Sequence, residues 1–536
     1  MRSVPVIMVV GLAVLLRILA PTADPPADLS WSGGYYSDEG FWCHNARNQV
    51  LFGKAVQDDW NNMYMSPIVH LFTLLSFILF GVGPIQVRAV SMVCAALLLA
   101  LVWCWGRAAG NRHGLFMLVF YGCSYVAVSY NRLALLETPL TLFMTGAVTA
   151  VVCIPPRRVV AGDLAAGILA GFAFVTKTTA LFILPVLVLT VWARDRDRRH
   201  SAGLRHLAPL CMGFAAIAAV WLVSIRIPHA GLLEKYNTYY RSQQSWEPLN
   251  VARNIITQPC FLYLFRSPIM LLLTMLGFVA LWSRGRGWWR RLPAPATAAL
   301  GWFVLQWTEL AVFGYRPLRY YVPILVPMAF LSATAITSIS AVPARSGRRL
   351  LVPLLVVLIG QAAVVVVDSL VPLGIHGITN NPAIPRLGAL CFLATIPLLL
   401  LITRRRGWLS AAAVTLFLAV NLFHYGRWFH HREYAVQAAR QYLTRLSPTT
   451  IGGQWAPQLC LGTSHHAVPI WKGYVNDIDP LGTGGVRYLL SWDYSLGNEW
   501  LLHHRWFPDA MAVARELNRF SIKDSQVVLS ELPPRR

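Results

Sequence analysis

The sequence predicts an all-α polytopic membrane protein closed by a small C-terminal α/β domain, and three observations carry that expectation. Only 13% of the 536 residues are charged while 56% are hydrophobic, where a soluble domain carries about 25% charged residues. The apolar residues arrive in blocks of roughly 17–22 almost free of charge, the length that crosses a bilayer core. From Gly426 onward the blocks stop, and basic and acidic residues come nearly into balance. A soluble globular protein, a disordered chain and a secreted disulfide scaffold are thereby excluded.

The net charge of +23 is a topology signal. Its Arg clusters sit in short loops between apolar blocks, at Arg107 and Arg112, Arg157 and Arg158, Arg194 to Arg205, Arg284 to Arg291, Arg345 to Arg349, and Arg404 to Arg406. Basic loops of this kind mark the cytoplasmic face. No nucleic-acid partner is expected from them.

In chain order, Val4 to Ala20 reads as an uncleaved first span, although Ala20-Pro21-Thr22-Ala23 would also suit a signal-peptide cleavage site. A polar, aromatic outer loop follows, residues 21–86, which holds Asp24, Asp28, Asp38, Glu39, Asp58 and Asp59. Within it Pro67 to Val82 is apolar. If that block crossed the membrane, every later Arg cluster would share a side with the acidic loop, so it reads as a juxtamembrane helix. Spans then fall near 87–105, 114–130, 139–154, 162–176, 179–192, 207–227, 260–282, 296–314, 322–341, 350–371, 388–403 and 408–425. With the first they make about thirteen, so the N-terminus is cytoplasmic and the C-terminus outside. Residues 1–425 form the membrane domain and 426–536 the extracytoplasmic one. In the latter, Tyr434–Leu446 and Ala510–Arg519 read as helices, and Gln458–Leu461, Val468–Trp471, Arg487–Ser491 and Gln526–Leu529 as strands.

The densest polar constellation outside this tail runs from Tyr35-Tyr36-Ser37-Asp38-Glu39 through His44 and Arg47. Its adjacent carboxylates can take a proton from an attacking hydroxyl, and its rings can stack on a sugar. Equally, Ser37-Asp38-Glu39 would cap a helix well. Glu137, in the stretch Arg132 to Pro139, falls on the same side, where an ionisable group beside an apolar helix is a functional candidate. A bare Arg132–Glu137 surface pair is the alternative. Lys177 interrupts two apolar blocks at that face, either snorkelling or meeting a phosphate. The loop Tyr315-Arg316-Pro317-Leu318-Arg319-Tyr320 carries two Arg residues against the positive-inside bias. Guanidinium suits phosphate, and Glu309 is a candidate to hold one of them. The candidate substrate contacts are Tyr35, Tyr36, His44, Arg47 and Arg132. The adjacent His pairs, such as His430-His431, are poorly spaced for zinc, so no metal site is expected.

At these residues the chain resembles the GT-C superfamily of polyprenyl-phosphate-sugar glycosyltransferases, nearest the protein O-mannosyltransferase and lipid A aminoarabinose transferase group. The resemblance covers about the first 340 residues. It rests on Asp38-Glu39, on Ala46-Arg47-Asn48 through Gly53, and on Ser66-Pro67, Phe80-Gly81-Val82 and Arg88. Arg132 to Glu137, Lys177 and Arg319-Tyr320-Tyr321-Val322-Pro323 complete it. The chain departs from the pattern with Phe41 and Met65-Ser66 where basic residues are usual, and with Glu137 in place of Asp.

The resemblance implies a GT-C fold of about thirteen helices in a bacterial inner membrane. Catalysis would rest on Asp38 as base, with Glu39 and Glu137, and the donor phosphate on Lys177, Arg316, Arg319 and Tyr320. It implies inverting transfer from a polyprenyl-phosphate sugar to a protein, lipid or glycan hydroxyl. No cofactor is required; a divalent cation is compatible but not indicated. A transporter or flippase of a lipid-linked sugar is the competing reading.

Overall fold

The computed structural model describes residues 4–29, 34–197, 204–242, 244–259, 267–282, 287–338, 406–471, 474–476, 478–479, 481, 485–493, 505, 507–522 and 525–533. The first helix, α1, runs Val4–Ile18 and is followed by α2, Gly34–Phe52, the short α3, Asn62–Met65, and α4, Pro67–Phe80. Proline opens α4, where a missing N–H costs nothing, and Gly81 at φ 82° ends it. A second proline opens α5, Pro84–Ala108.

The next block divides. Its halves, α6 (Asn111–Gly122) and α7 (Tyr125–Asn131), meet at a 64° bend, where Ser124 caps α7 by accepting from the Ala127 N–H. Then come α8 (Glu137–Cys153), α9 (Val159–Thr176), α10 (Ile183–Asp197) and α11 (Leu204–Trp221). Helices α9 and α11 touch backbone to backbone: a Cβ on Gly167 would lie 2.0 Å from the Leu210 carbonyl oxygen, so only glycine permits that approach. After them lie α12 (Ala230–Arg241), α13 (Pro248–Pro259), α14 (Pro268–Trp282), α15 (Ala294–Ala311), α16 (Leu325–Ser338) and α17 (Arg406–His430).

Buried arginines report which helix ends share a face. In the first turn of α5, Arg88 donates to the carbonyls of Pro21 (2.8 Å) and Ala23 (2.9 Å), just past α1. Arg132, just past α7, donates to the carbonyls of Leu19 and Ala20 and stacks on Trp428 of α17 at 4.1 Å. The start of α5 and the residues just past α1 and α7 therefore share one end of the helical bundle, and α17 finishes there too. At another corner Asp163 of α9 holds Arg194 of α10 through two bonds of 2.5 and 3.0 Å.

Among the described residues, four helices are long and apolar enough to cross a membrane, five if the bent pair is one span. Shorter apolar helices, including α1, α8, α14 and α16, accompany them. The protein is an integral membrane protein. The spans expected at 350–371 and 388–403, and the first residues of 260–282, lie outside the described residues.

The tail forms a mixed five-stranded sheet in the order β2-β1-β3-β5-β4. Its strands are β1 (Thr450–Gly452), β2 (His466–Val468), β3 (Tyr488–Asp493), β4 (Arg515–Ile522) and β5 (Ser525–Glu531). Its helices are α18 (Ala435–Leu443), the one-turn α19 (Ala456–Leu459) and α20 (Pro508–Ala512). Three expectations fail here. Val468–Trp471 meets a strand only at Val468, because β2 runs His466–Val468 and stops before Pro469. Gln458–Leu461 is not a strand: Pro457 lies in the first turn of α19, which packs on α2 so closely that a Cβ on Gly40 would meet the Gln458 nitrogen at 2.2 Å. Ala510–Arg519 is not a helix either, since α20 stops at Ala512 and Arg515–Ile522 pairs antiparallel with β5. Its helical propensity yields to the ladder. The strand β1 was not foreseen; three residues are too short for a readable period.

Candidate active site

Asp38 lies inside α2, which starts at Gly34, so it is not the cap residue that sequence also allowed. Its carboxylate pairs with the Arg319 guanidinium, from the turn Leu318–Tyr321 between α15 and α16. The first residue of α8, Glu137, accepts from Lys177 Nζ at 3.1 Å; that lysine ends α9. Neither the surface pair nor the snorkelling lysine survives this geometry. Tyr320 links the two ion pairs, its ring 3.9 Å from Lys177 Nζ and 5.6 Å from the Arg319 guanidinium carbon. Two acids and two cations from α2, α8, α9 and the 318–321 turn thus meet around one tyrosine, although 281 positions separate Asp38 from Arg319.

Burial pushes the Asp38 carboxyl above its ordinary value, and nearby Glu137 adds to that, against the opposing pull of Arg319 and Lys177. A carboxylate shifted toward neutrality is a better proton acceptor than an ordinary one. Arg319 is also buried, yet Asp38 and the tyrosines around it hold it well above its ordinary value, so it stays a cation.

Glu39, one residue on, faces elsewhere. Arg88 grips both of its oxygens, at 2.8 and 2.6 Å. Further donors are the Ala134 N–H at 2.9 Å and Gln458 Nε2 of the tail at 3.3 Å. Burial would raise Glu39, but Arg88 and the Ala134 N–H outweigh it and hold it below the usual range. This carboxylate fastens α2 to α5, to the 132–136 loop and to the tail.

The other candidates also have structural partners. Arg47 gives its donors to the carbonyls of Cys460, Thr463 and His465, anchoring the tail on α2. His44 bonds Asp58 at 2.7 Å and Asn48 at 3.0 Å. Tyr36 donates to the Pro25 carbonyl, and Tyr35 is buried against Tyr36 and Tyr130. Arg132 is spent on the end of α1, as described above. Arg316 donates to the Asn254 carbonyl at 3.2 Å. Glu309 does not hold Arg319, whose carboxylate partner is Asp38. These residues are polar because buried carbonyls and carboxylates need donors, a demand that sequence cannot distinguish from substrate binding.

One residue escaped the sequence reading. Burial and the charges of Tyr320 and Asp38 hold the Tyr240 phenol of α12 above its ordinary value, against the opposing pull of Arg319 and of the hydrogen bond from Tyr474. The signal was the tyrosine-rich run Tyr236 to Tyr240 on a polar segment between apolar blocks. Among the described residues no group of three or more His, Cys, Asp or Glu is arranged to hold a metal ion.

The whole chain superposes on solved membrane enzymes. ArnT from Cupriavidus metallidurans, in a structure bound to undecaprenyl phosphate, matches with a TM-score of 0.60 over 98% of each chain at 17% identity. The chain has the GT-C fold. A second GT-C neighbour, the oligosaccharyltransferase AglB from Archaeoglobus fulgidus, has a TM-score of 0.50 at 11% identity, covering 91% of this chain and 69% of its own.

Sequence comparison points the same way. The dolichyl-phosphate-mannose-protein mannosyltransferase family matches residues 65–223. The undecaprenyl phosphate-alpha-4-amino-4-deoxy-L-arabinose arabinosyl transferase of Aeromonas salmonicida is 26% identical over 332 residues, 60% of this chain and 58% of that one. Its counterpart in Edwardsiella ictaluri is 26% identical over 313 residues, 56% and 54% of the two chains. The match thus spans less than two thirds of these curated relatives. The GT-C resemblance read from the motifs is borne out.

Proposed function

We propose that this GT-C chain transfers a sugar, with inversion, from a polyprenyl-phosphate donor to a hydroxyl of a protein, lipid or glycan on the outer face of the membrane. The observation that carries the reading is the meeting of Asp38, Glu137, Lys177 and Arg319 around Tyr320. Such a set offers a base for the acceptor and cations for the leaving phosphate. The bacterial relatives named for an undecaprenyl-phosphate-linked sugar support the donor class.

In this reading the donor phosphate competes with the two carboxylates for Arg319 and Lys177. Drawing Arg319 away uncovers Asp38, which takes the acceptor proton as the acceptor oxygen attacks the anomeric carbon. The bond to phosphate breaks on the opposite side of that carbon, and the fixed cations stabilise the departing charge. Glu137 keeps Lys177 in place. No metal is assigned a step, so washing membranes with a chelator is expected to leave transfer intact.

The test is to incubate membranes holding the protein with radiolabelled polyprenyl-phosphate sugar and follow label into an endogenous acceptor. Label that crosses the membrane still attached to its lipid, with none transferred, would make the protein a flippase.

Arg319→Ala is expected to raise the donor KM about tenfold or more, the worth of one hydrogen bond to a charged group, and to leave the acceptor KM unchanged. It also removes the cation that opposes Asp38 protonation, so the acid limb of the rate profile should move to higher pH. Unchanged donor kinetics would return the phosphate to Lys177 alone.

The orientation belongs to the same proposal. About thirteen spans, in a bacterial inner membrane, put residues 21–86 and the 426–536 domain outside. With exposed Cys153 and Cys211 replaced by Ser, a cysteine at Val82 should react with an impermeant thiol reagent added outside. One at Arg157 should be protected. Protection at Val82 would make α4 a span and overturn the outward placement of Asp38.

A further inference from the structure

We propose that Trp471 of the C-terminal domain forms, with Tyr239 of α12, an aromatic wall that binds the acceptor, and that the acceptor is a sugar. This rests on the proposed function above and narrows its acceptor hydroxyl to one borne by a sugar ring.

The wall belongs to an aromatic cluster built from three parts of the chain that are distant in sequence. Phe41 of α2, Trp60, Tyr236 of α12 and Tyr474 of the tail are its buried layer. Trp471 and Tyr239 pack on that layer while remaining only partly buried. Trp471 meets the Phe41 ring at 6.5 Å and the rings of Tyr239 and Tyr474 at 6.0 Å, edge-on in each case. Tyr239 in turn stacks on Tyr474 at 4.1 Å.

Phe41 ties the wall to the proposed base. It stands three residues after Asp38 within α2, and helix positions three apart are neighbours on one face, with Cβ atoms about 5–6 Å apart. Trp60 Nε1 donates to the Phe41 carbonyl at 2.8 Å, which fixes that turn against the segment after α2. An acceptor whose reacting hydroxyl lies at Asp38 therefore has its own ring, or the next one along, within reach of Trp471.

The chemistry of the wall selects among the acceptor classes. The face of an aromatic ring is the negative part of its quadrupole, and it attracts the polarised C–H bonds that a sugar presents on one side of its ring. The hydroxyls around that ring need polar partners. The Trp471 indole N–H offers one, since among the described residues it has no acceptor. A purely apolar lipid chain would leave that donor unpaired. A peptide would look for backbone groups to pair with, and the described N–H groups of this turn are spent on the turn itself. Trp471 N–H donates to the Val475 carbonyl at 2.9 Å, and the N–H groups of Tyr474 and Val475 donate to the Trp471 carbonyl at 3.0 and 2.9 Å.

The experiment uses membranes holding the full-length protein with radiolabelled polyprenyl-phosphate sugar, and locates the label in the product. Permethylation followed by acid hydrolysis is expected to place it in a glycosidic link to another sugar. Extraction with chloroform and methanol separates the two sources of that sugar, a glycolipid entering the organic phase and a lipid-free glycan staying behind. Trp471→Ala is expected to raise the KM for the extracted acceptor about three- to tenfold, the scale of one aromatic contact. Donor KM, kcat and melting temperature should be unchanged. Trp471→Phe keeps a flat face without the N–H and should recover part of the loss.

Label released as a single sugar from Ser or Thr by alkaline β-elimination would make the acceptor a protein and overturn the proposal. So would an unchanged acceptor KM in Trp471→Ala. A loss that appears in both variants as a raised donor KM or a lowered melting temperature, with acceptor KM untouched, would make Trp471 a packing residue only. Transfer continues in each of those cases, and the proposed function stands. No transfer by the unaltered protein would remove both.

Discussion

Replacing Asp38 by Asn is expected to lower sugar transfer about 10²–10⁴-fold, the usual cost of losing a general base. The amide fits the space of the carboxylate but cannot take the acceptor proton. Donor binding should be kept or tightened, because Arg319 then faces no competing negative charge from α2. Transfer rate and donor affinity therefore move apart, and both are measured by titrating labelled donor into membranes of the two proteins. Full activity in Asp38→Asn would sink the assignment of the base. Equal losses in affinity and rate would make the residue a donor contact instead.

Arg88→Leu is expected to do the opposite: unfold the protein rather than disable it. The change strands the Glu39 carboxylate, 2% exposed, without its cation. It also leaves the carbonyls of Pro21 and Ala23 without their donor. Breaking a buried ion pair from one side costs about 3–5 kcal/mol, a large share of the ~5–15 kcal/mol that holds a typical domain folded. The melting temperature in detergent should fall sharply, and Arg88→Leu combined with Glu39→Leu should recover part of the loss. If Arg88→Leu melts normally but transfers slowly, Glu39 belongs to the chemistry and the division between the two adjacent acids is wrong.

Asp38 and Glu39 mark where sequence reading stops. From sequence they are one pair of carboxylates with one set of possible uses. In the fold Asp38 meets a cation from a turn 281 residues away, while Glu39 turns to Arg88, to a backbone N–H and to the tail. Successive helix positions differ by about 100°, so adjacent side chains face different elements. Which of them faces the cluster depends on how α2 is rotated, and that is set by Gly40 lying against Gln458 and by Arg47 bonding three tail carbonyls. None of this is written near residue 38.

What the sequence determined by itself follows from local chemistry. Apolar blocks of bilayer length, Arg-rich short loops and the change of composition at Gly426 specify a multispan helical protein with a folded tail, because hydrophobicity and charge act on each segment independently. The order of Asp38, Glu137, Lys177 and Arg319 along the chain carried the GT-C resemblance. Only the tertiary structure decided that Arg319 pairs with Asp38 rather than Glu309, and that Arg47, Arg132 and Arg316 serve buried carbonyls. It also decided that residues 515–522 form a strand. Each of those outcomes depends on a partner distant in sequence. A buried polar group takes whichever partner the packing brings within hydrogen-bond reach, and the packing is a property of the whole chain.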